Sequence, residues 1–294
     1  MNLTSLFLAA AVVATAFGAA LYHVDDFGEN PGNTGMWIYV PDQLAPSPAV
    51  IVALHGCLDS PQGYFAATPD LQTASQEMGF IIIYPSATNK DFRCWDAATN
   101  ATLSHDGGSD SRSIVNMVSY ALDKYNGDAG SVFAMGSSSG AIMSLQLAAA
   151  YPDVFSAVAA YSGFPVGCWR GQPGSSPLTA DPGCIRGTVE KRGAGWAEEV
   201  YCAWPGYGGS YPKVQIWHGT ADFLISFEVF DEIIKQWTAV FEIEQMGEDS
   251  DDPEKGYTRY TYGDGMQFEA YKGQGVAHPV PVHVKETLTW FGIM

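Results

Sequence analysis

Five short segments of this chain are apolar at nearly every position, and this pattern constrains the fold more than any other feature. They span residues 49–56, 80–86, 131–136, 155–163 and 213–219. A strand that is apolar on both faces must be covered on both faces, as in parallel sheets. Helix-like segments alternate with these runs, at residues 111–125, 139–151, 227–241 and 282–294. The pattern predicts an α/β fold with a mostly parallel central sheet and helices on both faces.

The remaining segments complete this outline. We expect an antiparallel edge ribbon around residues 36–41 and a last strand at 266–273. The Gly/Pro-rich block 163–212 shows little periodicity, which predicts a loop excursion above the sheet rather than a separate domain. The acidic run 247–254 lacks the spacing of a calcium loop and indicates a solvated surface loop.

Charge limits the partners that the chain can have. Its 14 Lys and Arg against 32 Asp and Glu give a net charge of -18. Such a field repels phosphate backbones and anionic membranes, so we expect neither as a partner, whereas neutral substrates are not penalised. The sequence has no phosphate loop, dinucleotide fingerprint or HExxH motif. We therefore expect no cofactor and no metal, and we expect a monomer.

The first 20 residues indicate export. They carry no charged side chain, are mostly Ala, Leu, Val and Phe, and end in small residues. This predicts a signal peptide over residues 1–20, cleaved after Gly18 or Ala20, and one secreted domain over residues 21–294. Export permits disulfides among the five cysteines, and an odd count leaves one unpaired. Asn100, in Asn-Ala-Thr within a polar loop, is a candidate glycosylation site.

The segment Gly136-Ser137-Ser138-Ser139-Gly140 stands between a predicted strand and a predicted helix. It matches the G-x-S-x-G turn, in which a sharp bend pushes the central hydroxyl out of the sheet. The glycines on either side avoid clashes that side chains would make. A plain polar turn would need no such context, so we predict that Ser138 is a nucleophile.

A serine nucleophile needs a base and an acid, which follow in the order Ser, Asp, His in an α/β-hydrolase. His278, in a Gly/Pro-bounded loop after the last predicted strand, is the first candidate base, and His283 is the second. Asp222 follows the strand that ends 216-IWHG-219, whereas Asp153 and Asp181 lie in less suitable segments. Asp222 would hold the imidazole in the correct tautomer.

Acyl transfer also needs donors for the oxyanion. The first buried strand ends in 54-LHGC-57, near where one donor of this fold originates. We assign the backbone N–H of Cys57 and that of Ser139, the residue after the nucleophile.

The chain resembles the secreted fungal family-one carbohydrate esterases. These are acetyl xylan and feruloyl esterases, and they share a fold with polyhydroxybutyrate-depolymerase-like enzymes. The similar stretches are residues 53–65, 93–114, 134–144, 152–168, 205–222 and 274–283. The family's triad falls on Ser138, Asp222 and His278. Its disulfides, carried over by position, imply Cys57–Cys94 and Cys168–Cys184, with Cys202 left free.

At three places the sequence departs from the family pattern near the expected acyl pocket, so the resemblance does not decide which acyl group is removed. Gly56 stands where acetyl xylan esterases of this group carry an aromatic residue, residues 277–281 read AHPVP, and residues 223–225 read FLI. The resemblance implies a secreted serine carboxylic ester hydrolase that removes acetyl or feruloyl groups from plant xylan. The alternatives are a polyester depolymerase or general short-chain esterase, and an inactive carbohydrate-binding relative. Trp95, Trp169 and Tyr207 are candidates for stacking on sugar rings, with core packing as their alternative role.

Overall fold

The computed structural model describes residues 19–89 and 92–294. The expected signal peptide therefore lies, up to residue 18, outside the described residues. The described strands form one ten-stranded sheet. They are β1 (Leu21–Val24), β2 (Gly35–Tyr39), β3 (Val50–Leu54), β4 (Ile81–Ser86), β5 (Val132–Ser137), β6 (Ala157–Tyr161), β7 (Lys213–Gly219), β8 (Gln245–Ser250), β9 (Tyr257–Tyr262) and β10 (Phe268–Gly273).

The described helices cover both faces of this sheet. They are α1 (Pro61–Ala67), α2 (Pro69–Met78), α3 (Asn100–Leu103), α4 (Ser109–Tyr125), α5 (Ser139–Ala150), α6 (Gly183–Arg186), α7 (Gly193–Tyr201), α8 (Glu228–Phe241) and α9 (Val284–Phe291). None of these helices is long and apolar enough to cross a membrane.

The strand order is β1-β2-β4-β3-β5-β6-β7-β10-β9-β8, and the central run from β4 to β10 is parallel. Antiparallel strands are added at both edges, β2 and β1 on one side and β9 and β8 on the other. The predicted fold class is thus confirmed. All residues of β3 and β6 are buried, as their apolar sequences require.

Alternate residues of each central strand enter two different cores. Val50, Val52 and Leu54 face the cluster that contains the apolar residues of α4, α5 and α8. Ile51 and Ala53 face the other cluster, with residues of α1, α2 and α9. The helix α5 is buried at every position, because α4 and α7 cover the side that does not contact the sheet. For this reason the sequence of α5 is mostly apolar on every side of the helix.

Parallel pairing brings the carboxyl ends of the strands to one edge of the sheet. Leu54 of β3 pairs with Gly136 of β5, and Ser137 of β5 pairs with Tyr161 of β6. Gly273 of β10 likewise pairs with Gly219 of β7. The loops that follow β3, β5, β7 and β10 therefore meet above this edge, and all four carry candidate site residues.

Two predictions about the less regular segments are wrong. The block 163–212 is not loop throughout, since it contains α6 and α7, and α7 buries Trp196, Ala197 and Val200. Two glycines in α7 obscure its pattern. The acidic run 247–254 begins inside β8, whose exposed residues form a strand because they pair with β9.

Candidate active site

The turn at Ser138 has the conformation of a nucleophile elbow. β5 ends at Ser137 and α5 begins at Ser139, and Ser138 between them has φ +57° and ψ -120°. A non-glycine residue in this region is strained and persists only where the surroundings hold it. The N–H of Ser138 donates to the carbonyl of Tyr161 at 2.8 Å, and its own carbonyl accepts from Ala141 at 2.9 Å. These bonds hold the strained residue at the end of the sheet.

The glycines flanking the turn are sterically required. A Cβ on Gly140 would lie 2.8 Å from the carbonyl oxygen of His55, and one on Gly136 would lie 2.9 Å from Cβ of Leu54. Both distances are shorter than real Cβ contacts, so α5 can approach β3 and β5 only without these side chains. Gly56 is tight as well, since its Cβ would lie 3.3 Å from Cβ of Ser138.

His278 bridges Ser138 and Asp222. Its Nε2 lies 2.9 Å from Oγ of Ser138, and its Nδ1 lies 2.7 Å from Oδ2 of Asp222. The side chain of Asp222 is fully buried and that of His278 is 7% exposed. A proton on Nδ1, held by the carboxylate, leaves Nε2 as the acceptor for the serine proton. The structure therefore brings together all three residues that the sequence suggested.

Asp222 is held by its own loop. Its Oδ1 accepts from the backbone N–H groups of Leu224 at 2.9 Å and Ile225 at 2.8 Å. Burial alone would raise the pKa of Asp222, but the hydrogen bonds from His278 and Ile225 outweigh it and keep the pKa below its ordinary value. The carboxylate is thus ionised and can stabilise an imidazolium.

Ser139 and Cys57, the residues of the two candidate oxyanion donors, both lie close to Ser138. Ser139 is the first residue of α5, so its N–H has no acceptor within the helix. Cys57 follows Gly56, which packs against Ser138, and both line the same cleft. The N–H groups of Cys57 and Ser139 are the two that the sequence suggested as oxyanion donors.

The loop that carries Cys57 is tied to the segment after residue 91. The Cys57–Cys94 disulfide joins them, and the N–H of Leu58 donates to the carbonyl of Phe92 at 2.6 Å. Trp95, which is fully buried, donates from Nε1 to the carbonyl of His55 at 2.9 Å. Its backbone N–H donates to Oγ of Ser139 at 2.8 Å. The segment 92–95 therefore contacts both Ser139 and the loop that carries Cys57, the two places of the candidate oxyanion donors.

A cleft of about 530 Å³ opens above Ser138 and His278. Much of its lining is apolar, and several of these side chains are exposed: Leu58, Phe92, Leu178 and Leu224. Phe223, which is 81% exposed, stands next to it with its ring 6.5 Å from that of His278. We call these five side chains the apolar rim. An apolar cleft with few polar groups is typical of a site for a small organic group.

Other sequence-predicted residues lie outside the cleft. His283 stacks on Trp217 with ring centroids 4.3 Å apart, and its Nε2 lies 3.3 Å from a carboxylate oxygen of Glu254. Asn100 is exposed but begins α3 rather than lying in a loop. Within the described residues no group of three or more His, Cys, Asp and Glu side chains could hold a metal.

The structure also forms the Cys168–Cys184 disulfide and leaves Cys202 as an exposed free thiol. Trp95 and Trp169 are buried, so the suggestion that they stack on sugar rings is wrong. Tyr207 is half-buried and stacks on Trp204 at 4.7 Å.

Sequence reasoning missed two polar residues at the site. Tyr64 lines the cleft and its hydroxyl lies 3.0 Å from Oγ of Ser137. His218, in β7, lies under Asp222, with Nε2 3.5 Å from Oδ2. The spacing of four residues between His218 and Asp222 is the only signal in the sequence for the second contact, and it is a weak one.

The fold and the serine turn define the chain as an α/β-hydrolase. Comparison with known proteins narrows this class. Residues 36–173 match the family described as esterase PHB depolymerase. The chain is 47% identical over 293 residues to feruloyl esterase B of Talaromyces stipitatus, covering all of this chain and 81% of that protein. It is 38% identical to acetylxylan esterase A of Aspergillus ficuum, covering 99% and 95%.

Among solved structures, acetyl xylan esterase from Aspergillus awamori superposes with a TM-score of 0.87 at 37% identity, covering 94% of this chain and all of that one. The chain belongs to this family of feruloyl and acetylxylan esterases, as the sequence resemblance implied, and it is a carboxylic ester hydrolase.

Proposed function

We propose that this protein is a secreted serine esterase that hydrolyses acyl esters on plant xylan, with feruloyl-type hydroxycinnamoyl groups as its preferred acyl group. One observation carries the proposal: Ser138 Oγ, His278 and Asp222 form a continuous hydrogen-bonded chain, with distances of 2.9 and 2.7 Å, beside an apolar cleft. The geometry matches that of a nucleophile, a base and the acid that orients the base.

In the acylation step, Oγ of Ser138 attacks the carbonyl carbon of the ester while Nε2 of His278 accepts the hydroxyl proton. The N–H groups of Cys57 and Ser139 donate to the oxygen that becomes negative. His278 then gives the proton to the oxygen of the departing alcohol as the bond between carbon and that oxygen breaks. The sugar hydroxyl leaves, and the acyl group remains on Ser138.

Deacylation repeats these steps with water as the nucleophile. His278 removes a proton from the water as its oxygen attacks the acyl carbon, and then returns a proton to Oγ of Ser138. The carboxylic acid leaves and the serine is regenerated. Asp222 stays ionised throughout, which its lowered pKa favours, and stabilises the imidazolium in both halves of the cycle.

The size and lining of the cleft support an aromatic acyl group. An acetyl group adds only one methyl group beyond the carbonyl, and would leave most of a cleft of about 530 Å³ unfilled. A hydroxycinnamoyl group can bury its ring against the apolar rim, and each Å² of apolar surface buried contributes roughly 25 cal/mol. The names of the relatives support the same choice, since the feruloyl esterase is 47% identical and the acetylxylan esterase is 38% identical.

Secretion is part of the proposal. The two disulfides favour an oxidising compartment, and the first 20 residues have the composition of a signal peptide. The net charge of -18 leaves a neutral polysaccharide as a suitable polymer partner. We propose that the protein acts as a monomer and that Asn100 carries a glycan.

A polyester is the second candidate substrate. Gly56 beside Ser138 and the exposed apolar rim are compatible with an aliphatic polymer surface, and the matching family is described as esterase PHB depolymerase. The same triad would act on it.

The deciding experiment measures acid release from methyl ferulate, from acetylated xylan and from a polyhydroxybutyrate film, with Ser138→Ala as the control. We expect ferulate to be released with the highest kcat/KM and the variant to be inactive. Acetate as the main product would mean that the enzyme prefers acetyl esters to feruloyl esters. Clearing of the film without release of either acid would favour a polyester as the substrate. Activity retained by Ser138→Ala would refute the mechanism.

A further inference from the structure

His218 is a buried histidine that the proposed mechanism does not use. It lies in β7 with 1% of its surface exposed. Its Nε2 is 3.0 Å from the carbonyl oxygen of Ile225 and 3.5 Å from Oδ2 of Asp222. Its Nδ1 is fully buried and has no hydrogen-bond partner within the part of the chain that the structure describes.

These contacts determine the tautomer. Both neighbours of Nε2 are oxygens that can only accept, so Nε2 carries the hydrogen. Nδ1, without an acceptor, must then be the bare nitrogen, because a buried N–H with no partner costs about 1–3 kcal/mol. The rings of Phe227 and Phe230 pack edge-on against the imidazole at 6.0 and 6.4 Å. His218 thus donates a hydrogen bond from Nε2, and its ring packs against apolar side chains.

The donor closes a loop around the aspartate. Ile225 donates its N–H to Oδ1 of Asp222 at 2.8 Å, and accepts at its carbonyl from His218 at 3.0 Å. Asp222 and Ile225 are therefore held to each other, and Ile225 is held to strand β7 by the imidazole, whose Nε2 also lies 3.5 Å from Oδ2 of Asp222. Leu224, between them, also donates to Oδ1. Without His218, the loop would lose its only side-chain bond to β7 among these contacts.

Among the described residues, three charged or titratable groups act on the pKa of His218 through their charges. They are Asp222 from its own loop, His278 from the loop after β10, and Glu228 from α8. Burial lowers the pKa of His218, and this effect exceeds the opposing ones of the Ile225 carbonyl and of Asp222. The imidazole therefore stays neutral while the second imidazole on the same carboxylate, His278, gains and loses a proton.

We propose that His218 is a positioning residue for the reaction: by donating its Nε2–H to the carbonyl of Ile225, it fixes the 222–225 loop so that Asp222 presents Oδ2 to His278. The proposal rests on the function proposed above. His218 is thus a fourth side chain that supports the triad. It touches neither the substrate nor the reacting atoms, and it acts through Asp222.

Two substitutions of His218 distinguish the effect of its hydrogen-bond donor from the effect of its side-chain volume. His218→Gln keeps an N–H donor at the position of Nε2, whereas His218→Leu fills the site without a donor. We expect His218→Leu to lower kcat for a short aryl ester by roughly 10- to 100-fold with KM little changed, because small displacements of catalytic groups have effects of this size. We expect His218→Gln to restore kcat to within a few-fold of the wild type.

His105→Gln is the matched control. His105 is another partly buried histidine, whose Nδ1 donates to the backbone carbonyl of Ala150 at 2.8 Å and whose ring stacks on Trp204. Ala150 is at the end of α5 opposite Ser138, which at 1.5 Å per residue is about 18 Å away. Both kcat and KM should match the wild type in this variant.

A measurement on the wild-type protein covers the case in which His218→Leu fails to fold. ¹⁵N NMR of labelled histidines should show one histidine with a protonated Nε2 and a bare Nδ1 that does not titrate between about pH 5 and 9, where an ordinary histidine does. The signal should be missing in His218→Gln. Titration of His218, or a proton on Nδ1, would overturn the proposal.

Wild-type kcat in His218→Leu, or an equal loss in the Leu and Gln variants at wild-type thermal stability, would also overturn it. Failure of the proposed function looks different, since the wild type itself would then hydrolyse no ester or Ser138→Ala would remain active.

Discussion

Oδ2 of Asp222 and Nδ1 of His278 lie 2.7 Å apart although 56 residues of chain separate them. This pair makes the first prediction. In Asp222→Asn, an amide group that turns its NH₂ toward Nδ1 forces the proton onto Nε2, and His278 can then no longer accept the proton of Ser138. We expect kcat for a short aryl ester to fall by roughly 10³- to 10⁴-fold, as is usual when the triad tautomer is wrong.

Steady-state kinetics of Asp222→Asn and of Asp153→Asn make the comparison. Asp153 was a weaker candidate for the acid from its place in the sequence, and it is exposed. Its variant should keep wild-type kcat. If Asp222→Asn retained a tenth or more of the wild-type kcat, the proposed role of this pair would have to be abandoned.

Gly140 is the subject of the second prediction. Its missing Cβ would lie 2.6 Å from the carbonyl carbon of Leu54 and 2.8 Å from the oxygen of His55, both of them backbone atoms that cannot move aside. We expect Gly140→Ala to lower the free energy of unfolding by roughly 3 kcal/mol or more, at the upper end of overpacking effects, or to abolish secretion. Urea denaturation of the purified protein measures the change.

Gly208→Ala provides the control, since a Cβ there meets nothing within 4 Å and the backbone is not left-handed. Its stability should change by less than about 1 kcal/mol. Equal effects of the two substitutions would contradict the steric explanation of the G-x-S-x-G turn.

The parallel core of the fold could be predicted because burial on both faces leaves a direct signal. β3 is apolar throughout and β4 is apolar up to its last residue, Ser86, and the structure places them near residues 49–56 and 80–86 as expected. β8 leaves no such signal. Its side chains are almost all exposed, and it is a strand only because β9 offers it hydrogen bonds. Pairing at a polar edge depends on a distant partner, which local sequence does not report.

The same distinction applies to the site. Ser138 was found from a local requirement, a strained turn that needs small neighbours, and the order of acid and base along the chain then selected Asp222 and His278. His218 was not found, because its importance depends on the carbonyl of Ile225, which reaches it only after the 222–225 loop has folded back on β7. Contacts to backbone atoms leave little trace in a single sequence.

The two disulfides give the third prediction, in which they affect different kinetic constants. Cys57–Cys94 holds the loop that carries a proposed oxyanion donor, so Cys57→Ala/Cys94→Ala should lower kcat about ten-fold or more. This is less than the roughly 10²- to 10³-fold effect of losing one donor, because the N–H is displaced and not removed. Cys168–Cys184 holds the segment that carries Leu178 of the apolar rim, so Cys168→Ala/Cys184→Ala should mainly raise KM for methyl ferulate.

Each double variant serves as the control for the other, because both lose one bridge. They close loops of 37 and 16 residues, and we expect each loss to cost about 3–4 kcal/mol of stability by chain entropy. Kinetics should be measured well below the lowered melting temperatures. A lower kcat in the second variant and not in the first would contradict the assigned oxyanion loop.

Leu178 tests the role of the apolar rim. It lines the cleft and is 76% exposed, so Leu178→Ser should cost little stability. We expect KM for methyl ferulate to rise several-fold, because part of the apolar surface that the ring would bury is lost. KM for a short aryl acetate, whose acyl group is too small to reach the rim, should stay close to that of the wild type.

Met246→Ser is the matched substitution, since Met246 is 73% exposed on β8, away from the cleft. It should change neither KM. If Leu178→Ser raised KM for both esters equally, the rim would not be selecting the acyl group.

Asp110 gives the last prediction, which concerns pH. This carboxyl group lies in α4, is 7% exposed, and accepts from the N–H of Asp96 at 2.8 Å. Burial raises its pKa from 3.8 to about 7, against the lowering effect of the hydrogen bond from the Asp96 N–H, and the charge of the Asp96 carboxylate raises it slightly further. The folded state therefore binds a proton that the unfolded state releases between about pH 4 and 7, so this group's contribution to stability is complete below pH 4 and is lost as the pH rises to 7.

Asp110→Asn keeps a neutral side chain at this position at every pH, so the variant does not lose stability through this group as the pH rises from 4 to 7. Relative to the wild type it should become more stable as the pH rises, with a gain between pH 4 and 8 of at most about 4 kcal/mol, since each pKa unit corresponds to about 1.4 kcal/mol. Urea denaturation of both proteins across this range measures the difference, and Asp123→Asn, an exposed position of the same helix, should show none. Parallel curves for wild type and Asp110→Asn would mean that Asp110 is already ionised in the folded protein at pH 4, with its charge stabilised by the N–H of Asp96.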